Sequence, residues 1–284
     1  MSDVAIVVAP YAGYCYGVER ALGLAQEASG EVPAPIHTLG PIIHNPSVVE
    51  RLAQQGIEAV DSLDQIAEGS VIIRTHGVPP GVVAEARRRG LAVIDATCPF
   101  VTVAQRKASE LQEKGYVPVI LGERDHPEVV GLTACAGEKA IVVEDAGDLA
   151  VRAVRGRRVG VVVQTTQTRE NLSRLAAALA PLARELLVFN TICDATEKRQ
   201  AAARELAATV DAMVVVGGRN SANTTRLASL CRELQPRTWH IEHGAELQRE
   251  WLSGLHRIGV AAGASTPEEE IEAAVARIRE LLAG

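Results

Sequence analysis

Three times along this chain a short apolar run ends in a cysteine and gives way to a stretch rich in alanine, glutamate and arginine. The runs are VAIVVAPYAGYC, ending at Cys15, LAVIDATC, ending at Cys98, and LLVFNTIC, ending at Cys193. The stretches that follow are YGVERALGLAQEA, PFVTVAQRKASELQEKG and DATEKRQAAARELAATV, with apolar residues at helical spacing. A continuous apolar run followed by an amphipathic stretch is the strand-to-helix step of an α/β unit on a parallel sheet. The cysteines stand 83 and 95 residues apart, too far for a zinc knuckle or a CxxC pair. The shared context therefore predicts a threefold repeat of about 90 residues.

The rest of the chain keeps this alternation. Strands are predicted over 4–9, 36–39, 57–60, 70–74, 91–95, 117–121, 140–143, 158–163, 186–190, 212–217, 237–241 and 257–261. Helices are predicted over 17–29, 46–55, 79–90, 100–114, 127–135, 145–151, 168–183, 195–208, 223–233, 245–253 and 267–282. Counting 28 or 29 residues forward from each cysteine reaches His44, His126 and Ser221, each just past a strand. Counting 61, 67 and 72 residues reaches His76, Thr165 and Ser265, again just past strands. The expected fold is three pseudo-symmetric α/β domains, 15–97, 98–192 and 193–284, with mainly parallel sheets. The third repeat lacks its closing strand, and residues 1–14 are expected to supply it.

Right-handed crossovers put strand ends and following helix N-termini on one side of each sheet. Three thiols meeting at one centre suit an iron–sulfur cluster with one iron left free of cysteine. Zinc held by the three cysteines and a histidine is the competing metal. Helix N-termini offer free N–H groups and partial positive charge to an anion. With only four lysines in the chain, a phosphate or diphosphate would rely on His, Ser, Asn and Thr donors. In Asp125–His126–Pro127–Glu128, Glu128 reads either as the acidic first turn of a helix with proline at its start or as a proton source. Asp95, Asn190 and Asp194 read as caps; Cys135, Cys231, Trp239 and Trp251 read as packing residues. His37, His240, His243 and His256 read as structural or surface residues.

Composition narrows the partners. Aromatic residues are only 3%, so the core must be aliphatic, and the net charge of −6 is spread along the chain. Without a basic run, nucleic acid is not an expected partner. Without roughly 20 consecutive apolar residues, neither is a membrane span. Five cysteines, no signal-like N-terminus and no disulfide pattern point to a reducing cytoplasm, and a monomer is expected.

GYCYGVERAL, GPIIHNPSVVERL, RTHGVP, DATCPFVT, GERDHPEVVGL, QTTQT, ICDATEKRQ, GGRNSANTTRLA and AGASTP run in order from about residue 9 to 267. This series resembles the 4-hydroxy-3-methylbut-2-enyl diphosphate reductases, the LytB/IspH family. The family's enzymes, iron–sulfur oxidoreductases, carry out the last step of the methylerythritol phosphate route to isoprenoids. The resemblance implies three α/β domains around a central 4Fe–4S cluster held by Cys15, Cys98 and Cys193, with the substrate hydroxyl on the fourth iron. It implies that His44, His76, His126, Thr165, Ser221, Ala222, Asn223 and Ser265 bind the substrate, most of them at its diphosphate. Glu128, Thr165 and His126 would serve proton delivery. Reduced ferredoxin or flavodoxin would supply electrons, and isopentenyl and dimethylallyl diphosphates would be the products.

One position departs from the family pattern. The loop usually reads Asn-Ser-Ser-Asn, whereas this chain has Asn220–Ser221–Ala222–Asn223. That leaves open a paralogous reductive dehydratase of another phosphorylated allylic alcohol. A non-catalytic cluster or redox-sensing protein is a further alternative, against which Glu128 and the anion stations argue.

Overall fold

Short segments rich in valine, isoleucine and leucine form most strands, and most strands hand over to a helix that carries the chain back across its sheet. The computed structural model describes residues 4–283. In chain order the elements are β1 (Ala5–Val8), α1 (Tyr16–Glu31), β2 (Ile36–Leu39), α2 (Pro46–Gln54), β3 (Ile57–Val60), β4 (Ser70–Ile73), α3 (Pro80–Arg88) and β5 (Ala92–Asp95). There follow α4 (Pro99–Glu113), β6 (Val117–Leu121), α5 (Pro127–Ala136), β7 (Ile141–Val143), the short α6 (Val151–Val154), β8 (Arg158–Val163), α7 (Arg169–Leu179) and β9 (Glu185–Phe189). The last third contains α8 (Asp194–Ala207), β10 (Ala212–Val216), α9 (Ala222–Leu234), β11 (Thr238–Ile241), β12 (Arg257–Ala262) and α10 (Glu268–Ala283).

The strands form three four-stranded sheets ordered β3-β2-β4-β5, β7-β6-β8-β9 and β11-β10-β12-β1. All pairings are parallel. The three orders are the same once β1 is counted as the fourth strand of the last sheet. It lies along β12 in the register Ala5↔Arg257 to Val8↔Val260. Parallel neighbours require crossovers of a dozen or more residues, which the intervening helices provide.

The chain divides into two compact units. One comprises Met1–Glu19, His44–Val48 and Asp194–Gly284 and contains the sheet β11-β10-β12-β1. The other comprises Arg20–Ile43 and Val49–Cys193 and contains the other two sheets. In the first, side chains of β10 alternate between two cores. Met213 and Val215 meet Ala203, Leu206, Leu227 and Cys231 of α8 and α9, while Val214 and Val216 meet Ile271, Ala274 and Ile278 of α10. Each such side chain contributes about 1.5–3 kcal/mol on full burial, so the central strand is the least replaceable part of the sheet. In the second unit Val161 and Val163 pack under Leu172, Leu175 and Leu179 of α7, and Val162 faces Ala104, Ala108 and Leu111 of α4.

Two expected helices are corrected. The segments 145–151 and 245–253 contain 3-10 turns at Ala146–Asp148, Gly244–Glu246 and Arg249–Leu252, with only the short α6 beginning at Val151. The cause is local capping. Asp148 accepts from the Glu144 N–H at 2.9 Å, and Glu246 accepts from the Glu242 and His243 N–H groups at 2.6 and 3.0 Å. Gln65 does the same for Asp61 and Ser62 in the first repeat. A side chain that closes a three-residue turn competes with propagation into a helix. Among the described residues, no helix is long and apolar enough to cross a membrane.

Candidate functional site

Each sheet ends its central strand in a glycine that sets the first station. The N–H groups of Gly40, Gly122 and Gly217 donate to the carbonyls of Val60, Val143 and Ile241 at 2.7, 2.9 and 2.9 Å. Four residues beyond each stands His44, His126 or Ser221. Two of these glycines are obligatory. Gly40 has φ of 72° with the Arg74 guanidinium over its α-carbon, and Gly217 has φ of 139° where a Cβ would lie 2.4 Å from Thr266 Oγ1.

The second station is fixed by the cysteines. The N–H groups of Cys15, Cys98 and Cys193 donate to the carbonyls of Ala264, Thr75 and Thr165 at 3.3, 2.9 and 3.1 Å. Two residues beyond those carbonyls, Thr266, Gly77 and Gln167 close matching turns onto Gly263, Arg74 and Gln164. This register corrects the count along the sequence: Thr165 corresponds to Thr75 and Ala264, and Thr166 corresponds to His76 and Ser265. Asp95 and Asn190, expected as caps, brace the approach to Cys98 and Cys193 by accepting from the Thr97 and Ile192 N–H groups at 2.9 and 3.2 Å.

In the larger unit the chemistry gathers around Glu128, which is 1% exposed in the first turn of α5. Its Oε1 accepts the Thr165 N–H at 2.7 Å and its Oε2 accepts the Thr165 hydroxyl at 2.8 Å. His126 caps the same helix, its Nδ1 accepting from the Glu128 N–H at 3.1 Å. Nδ1 is thereby the acceptor nitrogen, so the neutral ring carries its proton on Nε2. His76 meets His126 edge to face, with centroids 5.2 Å apart and planes at 85°. Sequence reasoning missed Gln164. It is fully buried, its Oε1 accepts from the Glu123 N–H at 3.0 Å, and its Nε2 donates to Thr166 Oγ1 at 3.1 Å. A polar residue closing the apolar run VGVVV was the signal available for it.

In the smaller unit Ser221 caps α9 by accepting from the Thr224 N–H at 3.3 Å, Ala222 is the first helical residue, and Asn223 is 7% exposed. Among the described residues, the Nδ2 of Asn223 has no hydrogen-bond partner. A buried donor left unsatisfied costs about 1–3 kcal/mol, a penalty that an anion at the helix N-terminus removes. Ser265, also buried, donates its hydroxyl to the His44 carbonyl at 3.1 Å. Tyr11, just upstream of Cys15, holds φ of 63°, a strained conformation for a side chain of its size.

Cys15, Cys98 and Cys193 are half-buried, whereas Cys135 and Cys231 are buried. Burial pushes the Cys135 thiol up, and pushes the Cys231 thiol up to about 12. These two are poor thiolates; both lie in cores, as do the stacked rings of Trp239 and Trp251, 5.2 Å apart. The other three sit at the N-termini of α1, α4 and α8. Three half-buried thiols at helix N-termini are a donor set that fits an iron–sulfur cluster.

Three parallel sheets of one strand order, with a cysteine leaving the fourth strand of each, define the class. The family model described as LytB protein matches residues 6–279, and the chain belongs to this family. Two similar relatives carry the name 4-hydroxy-3-methylbut-2-enyl diphosphate reductase. That of Geobacter sulfurreducens is 49% identical over 97% of both chains, and that of Aquifex aeolicus 46% identical over 99% of this chain and 98% of the relative. A solved structure of (E)-4-hydroxy-3-methyl-but-2-enyl diphosphate reductase, the terminal enzyme of the non-mevalonate pathway, is 44% identical with a TM-score of 0.71, covering 98% of this chain and 100% of that one. The Plasmodium falciparum reductase structure is 25% identical with a TM-score of 0.89, covering 99% and 89%.

Proposed function

We propose that this protein removes the hydroxyl of 4-hydroxy-3-methylbut-2-enyl diphosphate reductively, giving isopentenyl and dimethylallyl diphosphates as the terminal step of the non-mevalonate pathway. The reaction takes up two electrons and two protons and releases water. Kinship with the reductases supports the substrate, and the paired contact of Glu128 with Thr165 carries the chemistry.

Thr165 makes the two oxygens of Glu128 unequal. Oε1 is committed to a backbone N–H, which can only donate, so Oε2 is the oxygen that carries a proton. A proton on Oε2 would reverse the bond to Thr165 Oγ1 and free the threonine proton for the substrate hydroxyl, which then leaves as water. His126 presents its Nε2 proton as a donor. His44, His76, Ser221, Asn223 and Ser265 are the proposed diphosphate ligands, with the α9 N-terminus adding backbone N–H groups beside Ala222. Cys15, Cys98 and Cys193 would hold a 4Fe–4S cluster that supplies electrons and Lewis acidity to the hydroxyl.

Reduced ferredoxin or flavodoxin is the proposed donor, and the enzyme is proposed to act as a cytoplasmic monomer. The three domains are proposed to span 15–97, 98–192 and 193–284 with 1–14; the recurring strand order supports that division. Anaerobic assay of iron-loaded protein with a reduced viologen should convert the allylic diphosphate to both products. No turnover by fully loaded protein would overturn the proposal.

A further inference from the structure

A carboxylate outside the proposed catalytic set holds the segment that carries His44. Glu270, in the first turn of α10, accepts from Ser47 Oγ at 2.8 Å on one oxygen and from Asn45 Nδ2 at 3.1 Å on the other. Asn45 is 2% exposed, and its Oδ1 accepts from the Val48 N–H at 3.0 Å. Its amide thus starts α2 with one end and grips Glu270 with the other. On the opposite flank, the Ser265 hydroxyl bonds the His44 carbonyl at 3.1 Å, and Gly218 lies so close that a Cβ there would be 2.9 Å from the same oxygen. The segment His44–Val48 accordingly belongs to the unit containing Ser221, Asn223 and Ser265, although its flanks in the chain, Arg20–Ile43 and residues from Val49 on, belong to the other.

We propose that Glu270 is a positioning residue for diphosphate recognition, fixing His44 beside Ser265 through Asn45 and Ser47; this rests on the proposed function above. The competing explanation is electrostatic. Glu268, Glu269 and Glu270 together place negative charge at the start of α10, where any of them favours the helix. Only Glu270 is turned onto the His44 segment. Glu268 and Glu269 are exposed.

The test compares E270A, E270Q and S47A with E269A, which alters the helix charge and leaves the clamp intact. E270A should raise KM about tenfold with kcat within about twofold, the signature of lost binding rather than lost active protein. S47A should shift KM the same way by less, E270Q should recover part of the loss through its one remaining acceptor oxygen, and E269A should match the wild type. The Kd for inorganic diphosphate, measured by calorimetry, should follow KM, and amide exchange of residues 44–48 should quicken in E270A. A fall in kcat at constant KM, or an unchanged KM and Kd in both E270A and S47A, would overturn the proposal. Wild-type protein that binds inorganic diphosphate without turning over the allylic substrate would sink the functional reading alone, with the Kd series still deciding this one. Wild-type protein that does neither overturns both.

Discussion

Glu128 and Thr165 differ from an ordinary buried acid and its partner in that one residue supplies both donors, one from its backbone and one from its side chain. E128Q preserves this shape. The amide oxygen still accepts the Thr165 N–H and the amide nitrogen still reaches Oγ1, so binding should survive while proton delivery does not. We expect an unchanged KM and a kcat lowered by about 10²–10⁴ in steady-state kinetics, the usual worth of a positioned acid. Retained turnover would remove Glu128 from that role. Ala222 is the complementary case, at the N-terminus of α9 where the family places a hydroxyl. A222S restores a donor to a charged group, worth about 1.5–3 kcal/mol, and should lower KM about tenfold or more. These identities were legible in the motifs. The offset between Thr165 and Thr166 was not, because a count from the cysteines crosses loops of unequal length. Only the hydrogen bond from each cysteine amide resolves it.

At the scale of elements, strands were the legible part. Most are largely apolar runs, buried on both faces in the central strands β8 and β10, and such runs have few other ways to fold. The turns after β7 and β11 were not legible as turns, since a capping side chain three residues on looks the same in sequence whether a helix follows or not. Beside one of them, β11 carries His240, whose ring Nε2 lies 2.8 Å from the Gly217 carbonyl. Burial, helped by the charges of Arg219 and Arg232, pulls its pKa below the ordinary 6.5 and outweighs that bond and the Glu242 charge, both of which raise it. The unfolded chain therefore binds more protons than the folded one between the depressed value and about 6.5. Stability from His240 is fully present above that range and is lost as pH falls through the folded pKa. Thermal melts should show Tm falling from pH 7 to pH 5, with a shallower fall in H240Q. Asp211, lowered by the N–H groups of His256 and Arg257 with smaller help from the charges of His256 and Arg237, acts only below the usual carboxylate range and does not blur this window.

For the whole molecule, the informative fact is that β1 closes the sheet built by residues 212–262. The chain's first strand stands where β5 and β9 stand in the other sheets, so each cysteine follows the fourth strand of a sheet even though the third repeat ends without one. The repeat could be anticipated from sequence because the strand–cysteine–helix context recurs three times. The cluster itself is an inference from thiol chemistry, and it separates the five cysteines into two groups that composition treats alike. Cys15, Cys98 and Cys193 are half-buried at helix N-termini, while Cys135 and Cys231 are buried with raised pKa values. A thiol pushed up to about 12 is almost wholly protonated at neutral pH and is a poor iron ligand. Serine at any of the first three positions should therefore cut iron and acid-labile sulfide per chain in anaerobically purified protein and abolish turnover, with Tm of the metal-free protein little changed. C135S and C231S should keep a full complement of both, whatever they cost in packing. Zinc in place of iron in the wild type, or equal loss of iron across all five variants, would show that the three helix-end thiols are not the cluster ligands.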